Sequence, residues 1–389
     1  MRGTVRLWWY SLASLVCVYM RLYTLASLMC SMSGEFVPEV GALHQAEASV
    51  TVTAIDDDIF VAPKKLLYRP PLARAVYGGQ VIGQALMAAA CTVPLQIPIH
   101  SFHCYFILGG SPDRDIIYTC KRLRDGKSFF TRLVVARQGG VAIFSLTAQF
   151  QVPEPSRGLE YHAPMPSVHP PSDLLDIYEY WQSIQTHPAL NKTLREYVEK
   201  AQKRPVTIDQ RIVHRSFLRN DNRYRDELIP NLWPLMIGNG KPLRYVWMKA
   251  HTDLSHASPN IHKCVLAYMS DMSLIPTALE PLHKPRIAMT VSLDHSMWFH
   301  SSSSATLRAD EWLLFEMSCH VAGGSRALLT AKVWNEQGTL LVTVTQEALI
   351  RLIEEAAKLY LSCLLILYQC LPRNVLVVAI RELFCMSQL

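Results

Sequence analysis

The chain is 389 residues long, half of it hydrophobic and 18% charged, with a formal net charge of +6. A chain of this length can bury one large core or two ordinary ones, and the composition excludes a disordered protein. The modest positive charge suits an acidic small-molecule partner, and without a dense basic stripe it gives no case for nucleic acid.

Residues 1–45 form an apolar extension with arginines at Arg2, Arg6 and Arg21 and no acid before Glu35. Its uncharged run Leu7–Met20 is short for a membrane span and fits a signal-peptide core or a transit peptide equally. A first unit is predicted over 46–155. A helix is expected in "GGQVIGQALMAAAC" (78–91), where Gly78, Gly79, Gly83 and several alanines let a sheet approach closely and wrap it. "HSFHCYF" (100–106) follows. Next, "GKSFFTRLVVARQGGVAIFSLTAQF" (126–150) reads as two β-rich runs joined at a glycine turn.

Residues 152–172 carry six prolines and read as a linker. Helical spacing follows, interrupted at Pro188, so the connector spans 156–204. Arg215, Arg219, Arg223 and Arg225 alternate with acids and read as a solvated face rather than a phosphate cradle. The second unit is predicted over 205–354. In "AYMSDMSLIP" (267–276), Asp271 stands in an apolar stretch, where a lone carboxylate is costly. On the residues alone it caps a helix starting at about Met272, within the candidate "SDMSLIPTALEP" (270–281). "HSMWFHS" (295–301) and "GGSRALLTAKVWNEQGTLLVTVTQE" (323–347) complete the unit. Residues 355–389 are an apolar tail ending in Ser387-Gln388-Leu389. The two extensions are the only candidate membrane contacts.

The ten cysteines are scattered without a CxxC pair or a zinc spacing, as expected of small core residues in a reducing compartment. No HExxH and no Walker-type loop is present, so neither a metal nor a cofactor is expected.

The two units resemble each other. Each has a helix candidate, a His-Ser step (His100, His295), a Gly-x-Ser step (Ser128, Ser325) and two β-rich runs reaching a glutamine. Ser128 to Gln149 and Ser325 to Gln346 are both 21 positions apart. This reads as two copies of a helix-then-antiparallel-sheet unit, meeting as one extended sheet or as two sheets back to back.

The strings "YGGQVIGQAL" (77–86), "HSFHCYFILGGSPD" (100–113), "LRDGKSF" (123–129), "SLDHSMWFH" (292–300), "DEWLLFE" (310–316) and "TQEALIR" (345–351) resemble the type II acyl-CoA thioesterases, a family of bacteria and eukaryotic peroxisomes. The resemblance covers about 46–354 and implies an α+β double hotdog, two fused units each with a long helix wrapped by an antiparallel sheet. It also implies hydrolysis of fatty acyl-CoA. The family's Tyr-x-Ser-Asp motif falls on Tyr268–Asp271, its hydroxyl residue before Asp-His-Ser on Ser292, and its glutamine before glutamate on Gln346. Asp271, Ser292 and Gln346 are thereby the expected catalytic residues. "HSSSSATLRADEW" (300–312) is longer than usual in the family and adds a loop beside the site.

An Asp can take a proton from water, while a Ser hydroxyl and a Gln amide can orient that water. Backbone N–H groups at a helix N-terminus would polarise the thioester oxygen. His295 reads as structural, since neighbours on a strand face opposite ways and Asp294 cannot pair with it in a dyad. His100 matches it in the first unit, and Gln149 matches Gln346 without an Asp partner, so the first unit reads as a non-catalytic copy. The alternatives are a non-catalytic acyl-CoA or lipid-binding protein of the same fold, and a serine hydrolase. "GGSRA" (323–327) only approaches a nucleophile elbow, and "GGSPD" (109–113) fails as one. Exposed sheet edges favour a homo-oligomer. The family's distribution and the Ser-Gln-Leu terminus, a variant of an import-receptor signal, imply the peroxisome matrix, with the mitochondrion as the alternative.

Overall fold

Period-two alternation gives the longer strands one buried face. In "FTRLVVARQ", Arg132, Val134, Ala136 and Gln138 are buried and the residues between them half-exposed. The computed structural model describes residues 46–71, 73–154, 158–188, 192–202, 206–221, 223, 241–282, 287–300 and 307–352. Both apolar extensions, Arg225, the Ser-Gln-Leu terminus and the 301–306 part of the long loop lie outside the described residues.

The first half comprises α1 (Ala46–Val50), β1 (Thr53–Asp56), β2 (Ile59–Ala62), α2 (Gly78–Ala90), β3 (Ile99–Phe106), β4 (Ile116–Asp125), β5 (Phe129–Gln138) and β6 (Val141–Gln151). The connector holds α3 (Ile177–Ile184) and α4 (Lys192–Gln202). Asp176 and Glu179 form a reciprocal capping box at the start of α3. The second half comprises β7 (Ile208–Ile212), β8 (Leu243–Ala250), α5 (Pro259–Ser270), β9 (Ile287–Ser292), β10 (Asp294–Phe299), β11 (Leu313–Gly323), β12 (Arg326–Asn335) and β13 (Leu340–Leu352). Two of the arginines in the mixed patch are paired with acids, Arg219 with Glu179 and Arg223 with Asp221.

All strands join one antiparallel sheet in the order β1-β2-β4-β5-β6-β3-β10-β13-β12-β11-β8-β7, with β9 also on β13. Of the two predicted arrangements, the single extended sheet is the one formed. The halves meet where β3 pairs β10, from Asp294 opposite Tyr105 to Trp298 opposite Ser101. Four of the five free cysteines among the described residues are buried and Cys91 is exposed.

Each half wraps its helix, as expected, but the glycines of α2 serve a different contact. Helices α2 and α5 lie antiparallel against each other. A Cβ on Gly79 would stand 2.4 Å from the Tyr268 carbonyl oxygen, and one on Gly83 would stand 3.1 Å from that of Cys264. Gly79 and Gly83 therefore admit the second helix. The buried amides of Gln80 and Gln84 tie α2 to its surroundings, through Ser49 O, Leu66 O and the Tyr118 hydroxyl. Each such bond contributes roughly 1 kcal/mol.

The helix predicted over 270–281 is displaced. Helix α5 ends at Ser270, and only a short 3₁₀ turn, Ile275–Leu279, follows. Its start carries the clear signal Ser258-Pro259, in which the Ser258 hydroxyl accepts from Ile261 N–H and proline takes the first turn.

The matched spacing also needs correction. The turn between β5 and β6 has two residues, Gly139 and Gly140, whereas four separate β12 from β13. The two hairpins differ in register by one residue, with Arg132 opposite Ala148 in the first half and Leu329 opposite Gln346 in the second. The counterpart of Gln346 is Ala148. Gln149 falls on the other face of β6, because one residue of offset reverses a strand's facing.

Candidate active site

Asp271 follows the last residue of α5 and is its C-cap, not the N-cap of a later helix. A carboxylate gains nothing from the negative end of its own helix, so its stabilisation comes from elsewhere. Its Oδ1 accepts from the Ser292 hydroxyl at 3.1 Å and from Gln346 Nε2 at 3.2 Å. Gln346 Nε2 also donates to Ser292 Oγ at 2.7 Å. The structure thus brings the three predicted residues together.

A third donor to the carboxylate comes from the other half of the molecule. The backbone N–H of Gly79 points at the Asp271 carboxylate, and Oδ2 lies so near Gly78 that a Cβ there would stand 2.8 Å away. The helix N-terminus at this site is that of α2, not one starting at Met272. Burial pushes the Asp271 carboxyl up to about 6, against the pull of Ser292, Gln346 and Gly79.

Strand geometry places the other two groups. Strand β13 pairs β10 up to Thr345 and passes to β9 at Ala348, with Leu293 as the break between the two partner strands. Leu293 N–H donates to Glu347 O at 2.9 Å, and the Asp294 carboxylate accepts from Glu347 N–H at 2.7 Å. This junction holds Ser292 over Gln346. Gln346 shares the buried face of β13 with Val342, Val344 and Ala348.

His295 faces inward and Asp294 does not, as alternation requires. His295 is fully buried, with Nδ1 2.8 Å from Gln346 Oε1 and Nε2 2.9 Å from Ser270 Oγ. Burial pushes its imidazole down to about 4. It thus touches Gln346, a link its reading as merely structural missed.

In the first half, the position of Asp271 after the helix is held by Cys91. Arg132, in Leu329's place, fills the space beyond Ala148, donating to Thr92 Oγ1 at 2.7 Å and Thr92 O at 3.1 Å and pairing with Asp125. His100 sits at a break in the β3–β6 register and bonds Gln149 at 3.3 Å. No carboxylate stands at the matching place there.

Ser325 of "GGSRA" is the tip of the β11–β12 hairpin, with φ values of 57° at Gly324 and 61° at Ser325. That is a tight turn between antiparallel strands rather than a strand-to-helix elbow. Among the described residues no group of His, Cys, Asp or Glu is arranged to hold a metal.

A duplicated helix-in-sheet unit, with a raised carboxylate shared between the two halves, defines a double hotdog of the thioesterase class. Residues 68–151 match the acyl-CoA thioesterase N-terminal domain and residues 199–350 the acyl-CoA thioesterase C-terminal domain. Acyl-coenzyme A thioesterase 8 of Mus musculus is 37% identical over 78% of this chain and 90% of its own. The peroxisomal acyl-coenzyme A thioester hydrolase 1 of Saccharomyces cerevisiae is 24% identical over 79% and 94%. The crystal structure of acyl-CoA thioesterase II TesB2 from Mycobacterium marinum superposes with a TM-score of 0.58 at 30% identity, covering 80% of this chain and 98% of that one. The chain belongs to the type II acyl-CoA thioesterase family.

Proposed function

We propose that the protein hydrolyses fatty acyl-CoA to the free fatty acid and CoA, through one water held jointly by Asp271, Ser292 and Gln346. The observation that carries this reading is the convergence of Ser292 and Gln346 on one oxygen of a carboxylate at the start of α2. Membership in a family of acyl-CoA thioester hydrolases supports the reaction class.

In the reaction, the Asp271 carboxylate accepts a proton as the water oxygen attacks the thioester carbon. Ser292 and Gln346 fix the water's orientation. The carbonyl oxygen becomes an oxyanion near the N-terminal end of α2, whose positive dipole end stabilises the charge as it forms while the Gly79 N–H stays on Asp271. The tetrahedral intermediate then collapses, the C–S bond breaks, and the thiolate leaves with the proton returned from Asp271. No acyl-enzyme forms.

A base held at about 6 makes the pH profile diagnostic. Activity needs the ionised form, so kcat/KM is expected to fall with a single-proton limb as pH drops through about 6. Stability should run the other way. The folded value lies above the unfolded value of 3.8, so this group's contribution is full below about 4 and is lost as pH rises through about 6. A profile flat from pH 5 to 8 would contradict Asp271 as the base.

The deciding experiment is release of free thiol from acyl-CoAs of several chain lengths by the purified protein. Binding of acyl-CoA without thiol release would instead make it a non-catalytic binding protein. We place the protein in the peroxisome matrix, supported by the name of its yeast relative.

A further inference from the structure

We infer that Ser270 and His295 are positioning residues for the reaction: a directed chain of hydrogen bonds, Ser270 O–H to His295 Nε2 and His295 Nδ1–H to Gln346 Oε1, holds the Gln346 amide with its NH₂ group turned toward Asp271. The inference rests on the reading of Asp271, Ser292 and Gln346 as the water-holding set, and adds the device that orients one of them.

The direction follows from which atoms can donate. An ionised carboxylate only accepts, so the end of Gln346 lying 3.2 Å from Asp271 Oδ1 must be the NH₂. The same NH₂ serves Ser292 Oγ at 2.7 Å. Gln346 Oε1 then faces His295 Nδ1 at 2.8 Å and needs a donor, so the imidazole proton sits on Nδ1. His295 is fully buried, and among the described residues the other hydrogen-bond partner of its ring is the Ser270 hydroxyl. Burial keeps the ring neutral, which leaves Nε2 as a bare lone pair. Ser270 Oγ, 2.9 Å away, must give its single proton there rather than to Ala267 O, which lies at the same distance.

The ring has little freedom to do otherwise. Phe102 of β3 stacks on it at 6.0 Å with an interplanar angle of 11°. If the amide turned over, its carbonyl oxygen would face the carboxylate, two donors would be lost and the charge would be destabilised.

The first half gives an internal comparison. Its helix ends Ala90–Cys91 where α5 ends Ser270–Asp271, and Ala148 stands in the place of Gln346. The hydroxyl, the carboxylate and the amide are thus absent together in one copy and present together in the other. The imidazole is kept in the first copy as His100, which bonds Gln149 instead, so it is the serine hydroxyl that goes with the carboxylate and the amide.

The test uses the full chain. At pH 7.5, ¹⁵N-resolved imidazole spectra of the resting protein should show His295 protonated on Nδ1 and bare on Nε2. Ser270→Ala removes the donor to Nε2, so the ring should populate the Nε2–H form. Its kcat should fall by roughly tenfold to a hundredfold with KM nearly unchanged. The acid limb of kcat/KM should also move to higher pH, because the turned amide no longer favours the Asp271 anion. The titratable groups facing Asp271 from the packed elements are Tyr77 ahead of α2 and Cys104 on β3, both held neutral by burial, with Asp294 beyond Cys104. None of them is altered by the substitution. Ser270→Thr, which keeps the hydroxyl, should restore both the tautomer and the limb. A proton on Nε2 in the unaltered protein would overturn the proposal, as would a Ser270→Ala variant that loses only thermal stability. Asp271→Asn, read by turnover alone, judges the underlying catalytic reading separately.

Discussion

Asp271→Asn should lower kcat by about 10²–10⁴-fold, the range a positioned general base supplies, while leaving KM for acyl-CoA nearly unchanged. The substitution keeps the shape and one acceptor oxygen for Ser292 and Gln346, so binding and fold are preserved. What goes is the capacity to take the water's proton and one of the two oxygens that share the Ser292, Gln346 and Gly79 donors. It should also stabilise the protein at pH 8, because burial disfavours the native carboxylate there, as its rise to about 6 records. That gain should shrink as pH falls through 6, where the native group takes up its proton. Steady-state thiol release and thermal melts at pH 5 and pH 8 measure both halves. Near-native turnover in the variant would remove Asp271 from the reaction.

Gly79→Ala is expected to cost both stability and turnover, although alanine is the better helix former. The new Cβ would lie 2.4 Å from the Tyr268 carbonyl oxygen and 2.6 Å from the Tyr77 hydroxyl. The first is backbone, so α2 and α5 must separate. Overpacking of this kind costs about 1–3 kcal/mol. The separation also draws the Gly79 N–H away from Asp271, and a displacement of about 1 Å at a catalytic group can lose on the order of a hundredfold in rate. Gly83→Ala should be milder, because its closest contact is the Val50 side chain at 2.6 Å. Gly323→Ala meets nothing within 4 Å and serves as the control. Equal melting temperatures and rates across all three would refute the close-packed helix pair.

Much of this was readable from the sequence, and the failures have physical causes. The duplicated hairpins were legible because turns and alternation are local signals. The equal spacing of Gln149 and Gln346 misled, since the register of the second hairpin differs from that of the first by one residue, and period two converts a single-residue offset into the opposite face. The helix over 259–270 was missed although Ser258-Pro259 announces it, because Asp271 drew attention as a start signal when it closes the helix instead. Asp271, Ser292 and Gln346 were found through motif resemblance, as their juxtaposition arises only when β13 leaves β10 for β9. The Gly79 contact lay beyond sequence reasoning, since the Tyr77–Tyr268 bond beside it spans 191 positions.

The shared position of Asp271, on one half of the chain but at the helix start of the other, bears on how missense changes here should be weighed. A duplicated module without the carboxylate would ordinarily tolerate drift, and at the exposed Cys91 the first copy has room for it. At Gly78 and Gly79 it has none, because a side chain at Gly78 intrudes on the Asp271 carboxylate and one at Gly79 on the Tyr268 carbonyl, both supplied by the other copy. Inactivating alleles should therefore fall in two distant clusters of the gene, and scoring positions by their distance along the chain from Asp271 would miss one of them.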